Sequence, residues 1–405
     1  MEQIIFHIDV NSAFLSWTAL ERLSLGDTVD LRLIPSIIGG DISRRHGVVL
    51  AKSVPAKAYG IVTGEPVVNA VRKCPNLTMA SPDHTMYEKR SRALMQYLHT
   101  ICPDLEQASI DECYMNFTTV SHLYASPLEA ATQIKDAIYQ KFGFTVNIGI
   151  SDKKVLAKMA SDFKKPNLVH TLFSHEIKEK LWPLPITSLF MCGHASVDTL
   201  RKLEILTIGD LAKANPEIIA CHLKSHGILL WQYANGIDTS EVISEPVKRK
   251  GVGNSTTLSH DVTDRTEAGK ILLALAESVS HSLRESGEAA GLVCTEIKYS
   301  SFQAVSHQTT LPVPSSSTDV IYQTALTLFD ALWDHSPIRL LGLRTSKLVS
   351  DKEPVQLSLF DMVQEAPKTD KQKKLDAALD SIRSKYGSGS VVRGSLLTDP
   401  KPPKH

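Results

Sequence analysis

The sequence has few of the features that mark metal-thiolate, secreted or membrane proteins. Its six cysteines are scattered over 405 residues without one Cys-x-x-Cys pair, which argues against a zinc site and against a disulfide framework. No apolar run is long enough to span a bilayer, and no basic segment with an apolar core stands near the N-terminus. We therefore expect a cytoplasmic protein with no membrane segment and no secretory signal.

An excess of positive charge is also absent, since 44 Lys and Arg residues balance 44 Asp and Glu residues. Over the whole chain, this balance argues against a strongly basic nucleic-acid binder. Locally, however, basic residues crowd two segments, 44–92 and 153–165. Such patches can bind phosphate without a basic total, although a solvated helix face is the usual explanation of a single charge run.

Two short hydrophobic runs carry acids where a buried strand would not tolerate them. Residues 4–10 end in Asp9-Val10, and residues 108–114 contain Asp111-Glu112. Both runs are typical of buried strands, in which an unpaired carboxylate is costly. Converging carboxylates are stable if they hold hard cations such as Mg²⁺, and two such ions catalyse phosphoryl transfer. Asp9, Asp111 and Glu112 are therefore the leading catalytic candidates.

Strand geometry counts against this convergence, because strict alternation sends Asp111 and Glu112 to opposite faces of a sheet. Both reach one site only if the strand turns or bulges there. The alternative is a surface hairpin with a solvated Asp-Glu tip, and the acids alone do not decide between the two.

The predicted elements indicate several domains and an α+β fold class. The first half follows the split β-α-β-β-α-β order of ferredoxin-like folds. Strands are predicted over 1–10 and 145–150, with an acidic strand pair over 108–117. Helices are predicted over 11–25, 86–100 and about 127–141, and a basic helix runs from its expected N-cap Ser151 to Lys165-Pro166. Short helices over 174–238 and a polar linker containing Pro246 come next. The segment 251–349 contains two predicted strands (292–300 and 338–347) and two helices (268–285 and 317–333).

Three motifs in this frame are typical of binding sites. Phe14 could wall a pocket beside the metals or be plain helix core. The basic helix after Ser151 could contact an anionic ligand or lie on the surface. Gly193-His194-Ala195, with the apolar pattern that follows, favours a helix–hairpin–helix gripping the DNA backbone over a plain helical hairpin.

The polar tail contains two apolar signals. Gln356-Leu357-Ser358-Leu359-Phe360 indicates a short docking peptide, with packing onto its own domain as the alternative. Leu375, Ala378, Leu379 and Ile382 recur at helical spacing and predict a helix ending near Gly387. We expect this helix to fold back or be loosely tethered rather than to bind a partner.

In order and spacing, these motifs resemble those of the Y-family DNA polymerases, in the bacterial branch that includes DNA polymerase IV and UmuC-type proteins. The resemblance runs from about residue 4 to residue 360 and rests on Asp9-Val10-Asn11-Ser12-Ala13-Phe14, Ala56-Lys57-Ala58-Tyr59-Gly60, Ser109-Ile110-Asp111-Glu112, Gly149-Ile150-Ser151 through Lys165-Pro166-Asn167, Ala234-Asn235-Gly236-Ile237-Asp238 and Gly253-Asn254-Ser255.

The resemblance implies a right-hand polymerase with a ferredoxin-like palm (1–10 and 80–173), fingers (11–79), a helix–hairpin–helix thumb (174–238), a linker (239–248), an α+β little finger (249–349) and a tail (350–405). It implies template-directed, low-fidelity copying of damaged DNA by two-metal phosphoryl transfer. The implied cofactors are two Mg²⁺ ions, with Mn²⁺ as an alternative. The implied partners of the expected monomer are primer–template DNA, deoxynucleoside triphosphates and the bacterial sliding clamp.

The resemblance also assigns roles to individual residues. Metal binding is implied for Asp9, Asp111, Glu112 and the backbone carbonyl of Val10. Phe14 matches the steric gate that excludes ribonucleotides, and Lys165 matches a triphosphate contact. DNA contacts are expected at Gly193, Ala195, Lys248 and Arg249, and clamp contacts at Gln356, Leu357, Leu359 and Phe360.

Three departures from the family pattern bear on function. Val54 and Lys57 stand where relatives place Tyr and Arg against the incoming nucleotide, so a hydroxyl donor and a bidentate fork are lost. Ala195 stands where relatives have a second glycine, and it is strained if that position has a positive φ. The little finger is not basic overall, despite Lys248-Arg249 at its entrance, so we expect weak DNA affinity and dependence on a clamp.

Two other functions use a similar fold. A catalytically weakened DNA-binding scaffold recruited by the clamp would not need the three acids and Phe14. A nucleotidyl cyclase would have no use for the thumb, the little finger or the docking peptide.

Overall fold

The chain folds into two units, and the boundary between them falls between Pro246 and Val247. The computed structural model describes residues 3–40, 47–245, 248–351, 368–387, 390–391 and 393–394. In chain order, the elements of the first unit are β1 (Ile5–Val10), α1 (Ala13–Ser24), β2 (Ser36–Gly39), β3 (Val49–Lys52), α2 (Val54–Ala58), α3 (Val67–Lys73), β4 (Thr78–Ala80), α4 (His84–Ile101), β5 (Leu105–Gln107), β6 (Glu112–Asn116), α5 (Pro127–Phe142), β7 (Val146–Ser151), α6 (Lys154–Ser161), β8 (Val169–Thr171), α7 (His194–Lys202), α8 (Ile208–Lys213) and α9 (Pro216–Ala234).

A five-stranded sheet in the order β5-β6-β1-β7-β8 carries the predicted acids. β1 is antiparallel to both β6 and β7, and α4 and α5 cover one face, as in a split β-α-β-β-α-β fold. Phe6, Ile8 and Val10 enter the core on that face. Because successive side chains of a strand alternate, His7 and Asp9 point to the other face, where α6 packs.

α6 lies so close to this second face that all eight of its residues are buried. Gly149 of β7 permits the approach, because a Cβ at this position would lie 2.0 Å from the carbonyl oxygen of Ala157. The alternative of a surface helix is therefore wrong, and its lysines face the acids of the sheet rather than water.

The predicted bounds of this helix are also wrong. Ser151 is the last residue of β7, and the N-cap is Lys153, whose side chain makes no capping bond. The Asp238 carboxylate instead accepts a hydrogen bond from the Val155 N–H at 2.9 Å, so a residue distant in sequence satisfies the helix terminus. The helix ends at Ser161, well before Lys165.

A second, three-stranded sheet has the order β3-β2-β4, with β2 antiparallel to β3 and parallel to β4. Ile37 of β2 packs with α2 and α3 on one face, and Ile38 packs with α1 on the other. This sheet and α1 position the segment from β3 to α2 beside the end of β1. Residues of that segment and of β1 line the same cavity.

The remaining helices of the first unit, α7 to α9, share a separate hydrophobic core with α6. At the start of α7, the residue with a positive φ is Met191 (67°), not Ala195, which is inside the helix. The concern that alanine is strained at position 195 is therefore wrong. The backbone strain at the start of α7 lies two residues before Gly193, at the half-exposed Met191.

The second unit contains one four-stranded antiparallel sheet with two helices on one face. Its elements are β9 (Gly251–Val262), α10 (Arg265–Glu285), β10 (Glu288–Tyr299), β11 (Ala304–Ser315), α11 (Thr318–Leu332), β12 (Ile338–Ser350) and α12 (Lys368–Tyr386). The sheet order is β11-β10-β12-β9. β9 and β11 were not expected from the sequence, because they are largely polar and exposed.

α12 folds back onto this unit, as expected, but through a polar face. Asp376 is 1% exposed and accepts a hydrogen bond from the Thr318 N–H at the start of α11. Asp380 forms an ion pair with Arg284 of α10 at 2.6 Å. The apolar stripe is not the contact surface, since Leu375 is 49% exposed.

Within the described residues, no helix combines the length and the apolar character needed to cross a membrane.

Candidate active site

The acids of the two predicted motifs meet at the junction of β1 and β6. Asp9 and Glu112 are directly opposed partners of the antiparallel pair, so their side chains share one face. Asp111 precedes β6 in a turn, and its carbonyl accepts the Val10 N–H at 3.0 Å. The single strand expected over 108–114 is therefore wrong, because β6 begins only at Glu112, and the turn removes the alternation problem between Asp111 and Glu112.

Two lysines hold the cross-strand pair together. Lys158 of α6 donates a hydrogen bond to Glu112 and lies 3.6 Å from Asp9 Oδ2. Lys165 lies 2.9 Å from the same Asp9 oxygen and 2.8 Å from Asp162. Each carboxylate thus contacts an ammonium group, and Lys158 bridges the two strands. Lys158 was part of the predicted basic helix, but sequence reasoning did not assign it to the acids.

The electrostatics of the pair are unequal. Burial raises the pKa of Asp9 to about 7, against the opposing pull of Lys165 and Lys158. Burial also acts to raise the pKa of Glu112, but the nearby His7, 3.8 Å away, and the hydrogen bond from Lys158 outweigh it and hold that pKa below its usual range. The site therefore favours the charged form of Glu112 and makes the Asp9 carboxyl hold its proton more tightly than an ordinary aspartate.

The donor set fits a hard divalent cation. Asp9, Glu112 and Asp111 offer only oxygen ligands, the type that Mg²⁺ and Mn²⁺ prefer. The two lysine ammonium groups already show that this junction attracts positive charge. Within the described ranges, no three His, Cys, Asp or Glu side chains stand close enough to form a ready-made ligand cluster. The Asp111 carboxylate accepts a hydrogen bond from Ser109 Oγ at 2.7 Å.

An open cavity of about 420 Å³ adjoins the acids. Its lining includes nearly all the residues that the resemblance assigned to the nucleotide: Asp9, Val10, Phe14, Val54, Lys57, Asp111 and Lys165. Glu112 does not line it. The cavity also contains Lys52 and Thr63, which sequence reasoning missed. Side chains from both sheets therefore face one space, with carboxylates and ammonium groups on its wall.

Phe14 is held by aromatic contacts on the wall of this cavity. Its ring stacks on Tyr87 with centroids 4.5 Å apart and planes 15° from parallel, and His84 meets it edge-on at 6.1 Å. Tyr87 is fully buried, and its hydroxyl hydrogen-bonds to Thr18 at 2.8 Å. Phe14 is thus both partly buried and a cavity wall, so the two sequence interpretations are compatible.

A buried asparagine network positions the segment that carries Lys165. Asn147 of β7 donates to the carbonyl of Lys164 at 2.7 Å and accepts from Asn11 Nδ2 at 3.2 Å. Asn11 Oδ1 accepts the Asn167 N–H at 2.9 Å. Sequence reasoning quoted Asn11 and Asn167 in motifs but missed Asn147, whose only signal was a polar residue inside an apolar strand.

None of the expected DNA contacts that the structure describes is among the residues lining this cavity. Gly193 is the N-cap of α7, and Ala195 lies in its first turn, both exposed. Lys248 is exposed, and Arg249 is 3.2 Å from Glu288, so its charge is partly satisfied. Gln356, Leu357, Leu359 and Phe360 lie outside the described residues.

Comparison with known proteins identifies the family. The profile of the impB/mucB/samB family matches residues 8–162, and that of its C-terminal domain matches residues 249–359. DNA polymerase IV of Clostridium acetobutylicum is 46% identical over 398 residues, covering 98% of this chain and 99% of that protein. DNA polymerase IV of Acetivibrio thermocellus is 34% identical and covers 98% of both chains.

A solved structure supports the fold assignment. A Y-family DNA polymerase chimera of Dbh and Dpo4 superposes with a TM-score of 0.73 at 21% identity, covering 86% of this chain and 99% of that one. The likeness extends over both units and reflects the fold alone. With the full-length relatives, it leads to one conclusion: the chain belongs to the Y-family DNA polymerases of the impB/mucB/samB type, in the DNA polymerase IV branch.

Proposed function

We propose that this protein is a DNA-directed DNA polymerase that extends a primer with deoxynucleotides and copies damaged templates with low fidelity. The observation that carries the proposal is the cross-strand pair Asp9–Glu112, which lies beside an open cavity walled by Phe14 and lysines. The acids and the lysines match the needs of phosphoryl transfer, in which charge neutralisation and positioning supply most of the catalysis.

The resemblance supports the same assignment of parts. We assign residues 1–10 and 80–173 to the palm, 11–79 to the fingers, 174–238 to the thumb, 239–248 to the linker, 249–349 to the little finger and 350–405 to the tail. The clamp peptide falls in that tail, and we propose that a monomer is recruited to DNA through it in the bacterial cytoplasm.

Two Mg²⁺ ions, with Mn²⁺ as a substitute, are the proposed cofactors, held by Asp9, Asp111, Glu112 and the Val10 carbonyl. When bound, they would acidify the primer 3′-hydroxyl and neutralise the leaving pyrophosphate. Lys57 and Lys165 supply positive charge to the triphosphate. Phe14, which stacks on Tyr87, is the proposed steric gate against a 2′-hydroxyl.

Primer extension tests this function. We expect Mg²⁺-dependent, distributive addition of deoxynucleotides on undamaged and abasic templates. Asp111→Ala is expected to lose at least about 10³-fold in extension rate, because positioned charge is the main catalytic contribution. It should bind primer–template as the parent does. Asp136→Asn, on the exposed side of α5, is the matched control.

Two results would contradict the proposal. Extension by Asp111→Ala near the parental rate would overturn the metal assignment. Firm DNA binding without any extension by the parent would favour the scaffold alternative instead.

A further inference from the structure

Lys52 is a cation of the nucleotide cavity that no motif predicted. It is the last residue of β3, pairs with Ile37 across the sheet and lines the same cavity as Lys57, Asp111 and Lys165. The cavity therefore contains three lysines, two of them on the short segment from β3 to α2.

The corner that carries Lys52 is rigidly built. Ser53 follows it, is 2% exposed and caps α2 by accepting the Ala56 N–H at 3.1 Å. The same hydroxyl accepts the Ser36 N–H at 3.1 Å and donates to the Ile34 carbonyl at 2.7 Å. These bonds fix the direction in which the lysine leaves the strand.

The ammonium groups of Lys52 and Lys57 have no carboxylate of their own among the described residues. The hydrogen-bond partner of Lys52 is Thr63 Oγ1, at the long distance of 3.5 Å. The nearby Glu65 is already taken by Lys73 at 2.7 Å. Burial, and then the neighbouring charge of Lys57, lower the pKa of Lys52. The charge of Glu65 offsets this lowering only in part. Two neighbouring cations without an ion-pair partner of their own on a cavity wall are unfavourable without an anion and favourable with one.

Neighbouring chemistry indicates which anion fits. Val54, one helical turn before Lys57, has no polar side-chain group, so the two ammonium groups are the cationic groups of this corner. Asp9 and Asp111 line the opposite part of the cavity, and their negative charges would repel an anion. The anion must therefore be multiply charged and must bind together with metal cations. A triphosphate meets both conditions.

On the basis of the proposed function, we propose that Lys52 binds the triphosphate of the incoming nucleotide together with Lys57. The two separate ammonium groups supply several N–H donors and two charges, which compensates for a site with no guanidinium fork. Lys52 is then a determinant of nucleotide affinity specific to this corner, rather than a structural lysine of the sheet edge.

The test compares Lys52→Gln, Lys52→Arg and the control Lys89→Gln, an exposed lysine of α4 outside the cavity. Deoxynucleoside triphosphate binding is measured with Ca²⁺ and a dideoxy-terminated primer–template, so that no chemistry occurs. Binding of inorganic tripolyphosphate and of primer–template DNA is measured separately.

We expect Lys52→Gln to weaken triphosphate and tripolyphosphate binding by about 10-fold, the value of one charge-assisted hydrogen bond. Its affinity for DNA should match that of the control, and Lys52→Arg should restore most of the loss. Unchanged triphosphate affinity would overturn the inference. So would weaker DNA binding with a smaller salt dependence, which would assign Lys52 to a template phosphate. If the parent binds triphosphate through Lys52 but extends no primer, the proposed function fails and this inference stands.

Discussion

Phe14 and Tyr87 stack in parallel, and the buried tyrosine is fixed in turn by Thr18 of the same helix that carries Phe14. The aromatic wall of the cavity is therefore a supported pair rather than one ring. A steric gate works only if the ring cannot yield, so its support is expected to matter as much as its bulk.

The first prediction concerns this pair. Phe14→Ala is expected to raise ribonucleotide use relative to deoxynucleotide use by about 100-fold, since an excluded volume is removed. Tyr87→Leu should raise it by a smaller factor, because Phe14 remains but can move. The ratio of kcat/KM values for the two sugars measures both. Tyr97→Leu on α4 is the control, and a ratio for Tyr87→Leu equal to this control would contradict the supporting role.

The second prediction concerns Lys158, which contacts both Glu112 and Asp9. Lys158→Met should lower the free energy of unfolding of the metal-free protein by about 3 kcal/mol, because buried charges lose their partner. Mn²⁺ should then raise Tm more in the variant than in the parent, since it replaces a missing cation. Calorimetry with EDTA and with Mn²⁺ measures both effects, and an equal Mn²⁺ increment in the two proteins would refute the bridging role.

The third prediction follows from the titration of Asp9. Its pKa is raised from 3.8 to about 7 by burial, so the folded state retains a proton that the unfolded chain has lost. The metal-free protein therefore loses stability as the pH rises through this window. Asp9→Asn removes the effect, and its Tm advantage over the parent should be larger at pH 8 than at pH 5. An advantage that does not change with pH would show that Asp9 titrates normally.

The fourth prediction distinguishes two positions at the start of α7. Met191 has a φ of 67° and is half exposed, so Met191→Gly relieves strain at little loss of burial. We expect it to stabilise the protein by about 1 kcal/mol. Ala195→Gly, inside α7, should destabilise by a similar amount. Thermal unfolding measures the stability of both variants. Destabilisation by Met191→Gly together with stabilisation by Ala195→Gly would show that position 195 is the strained one.

The fifth prediction concerns α12. Asp376, which is distant in sequence, caps the start of α11 by accepting the Thr318 N–H at 3.1 Å. It also lies 3.6 Å from Arg284 and 3.4 Å from Arg393. Asp376→Ala should speed hydrogen exchange of the Thr318 amide at least about 10-fold, because the cap and a buried charge pair are lost together. Lys374→Ala, exposed on the same helix, is the control. Equal exchange in the two variants would mean that α12 is only loosely attached.

The regular parts of the fold could be predicted because each has a simple period. β1, α4, α5 and β7 bury one continuous apolar pattern each, and their predicted positions were close to the observed ones. β9 and β11 escaped prediction because exposed strands rich in Ser, Thr and Gly lack an apolar pattern. The turn before Glu112 was hidden by the apolar Ile110, so the motif looked like one strand.

Contacts between distant residues could not be predicted from local patterns. A run of lysines favours a surface helix, and only the fold shows that α6 is buried with Lys158 between two acids. The cap of α6 comes from Asp238, and the contact face of α12 is ionic rather than apolar. In each case a polar side chain is buried because its partner comes from another part of the chain.

Asn147 shows how far such partners extend the set of residues on which the reaction depends. Its amide donates to the carbonyls of Ser161 and Lys164 and accepts from Asn11 and the Leu168 N–H, so its hydrogen-bonding capacity is complete. Among side chains of this length, only asparagine has two N–H donors and one oxygen that can accept twice. We therefore expect a screen for inactive variants to recover Asn147 beside the acids, although it does not line the cavity. The set of residues whose substitution would inactivate this polymerase is therefore larger than the set that lines its cavity.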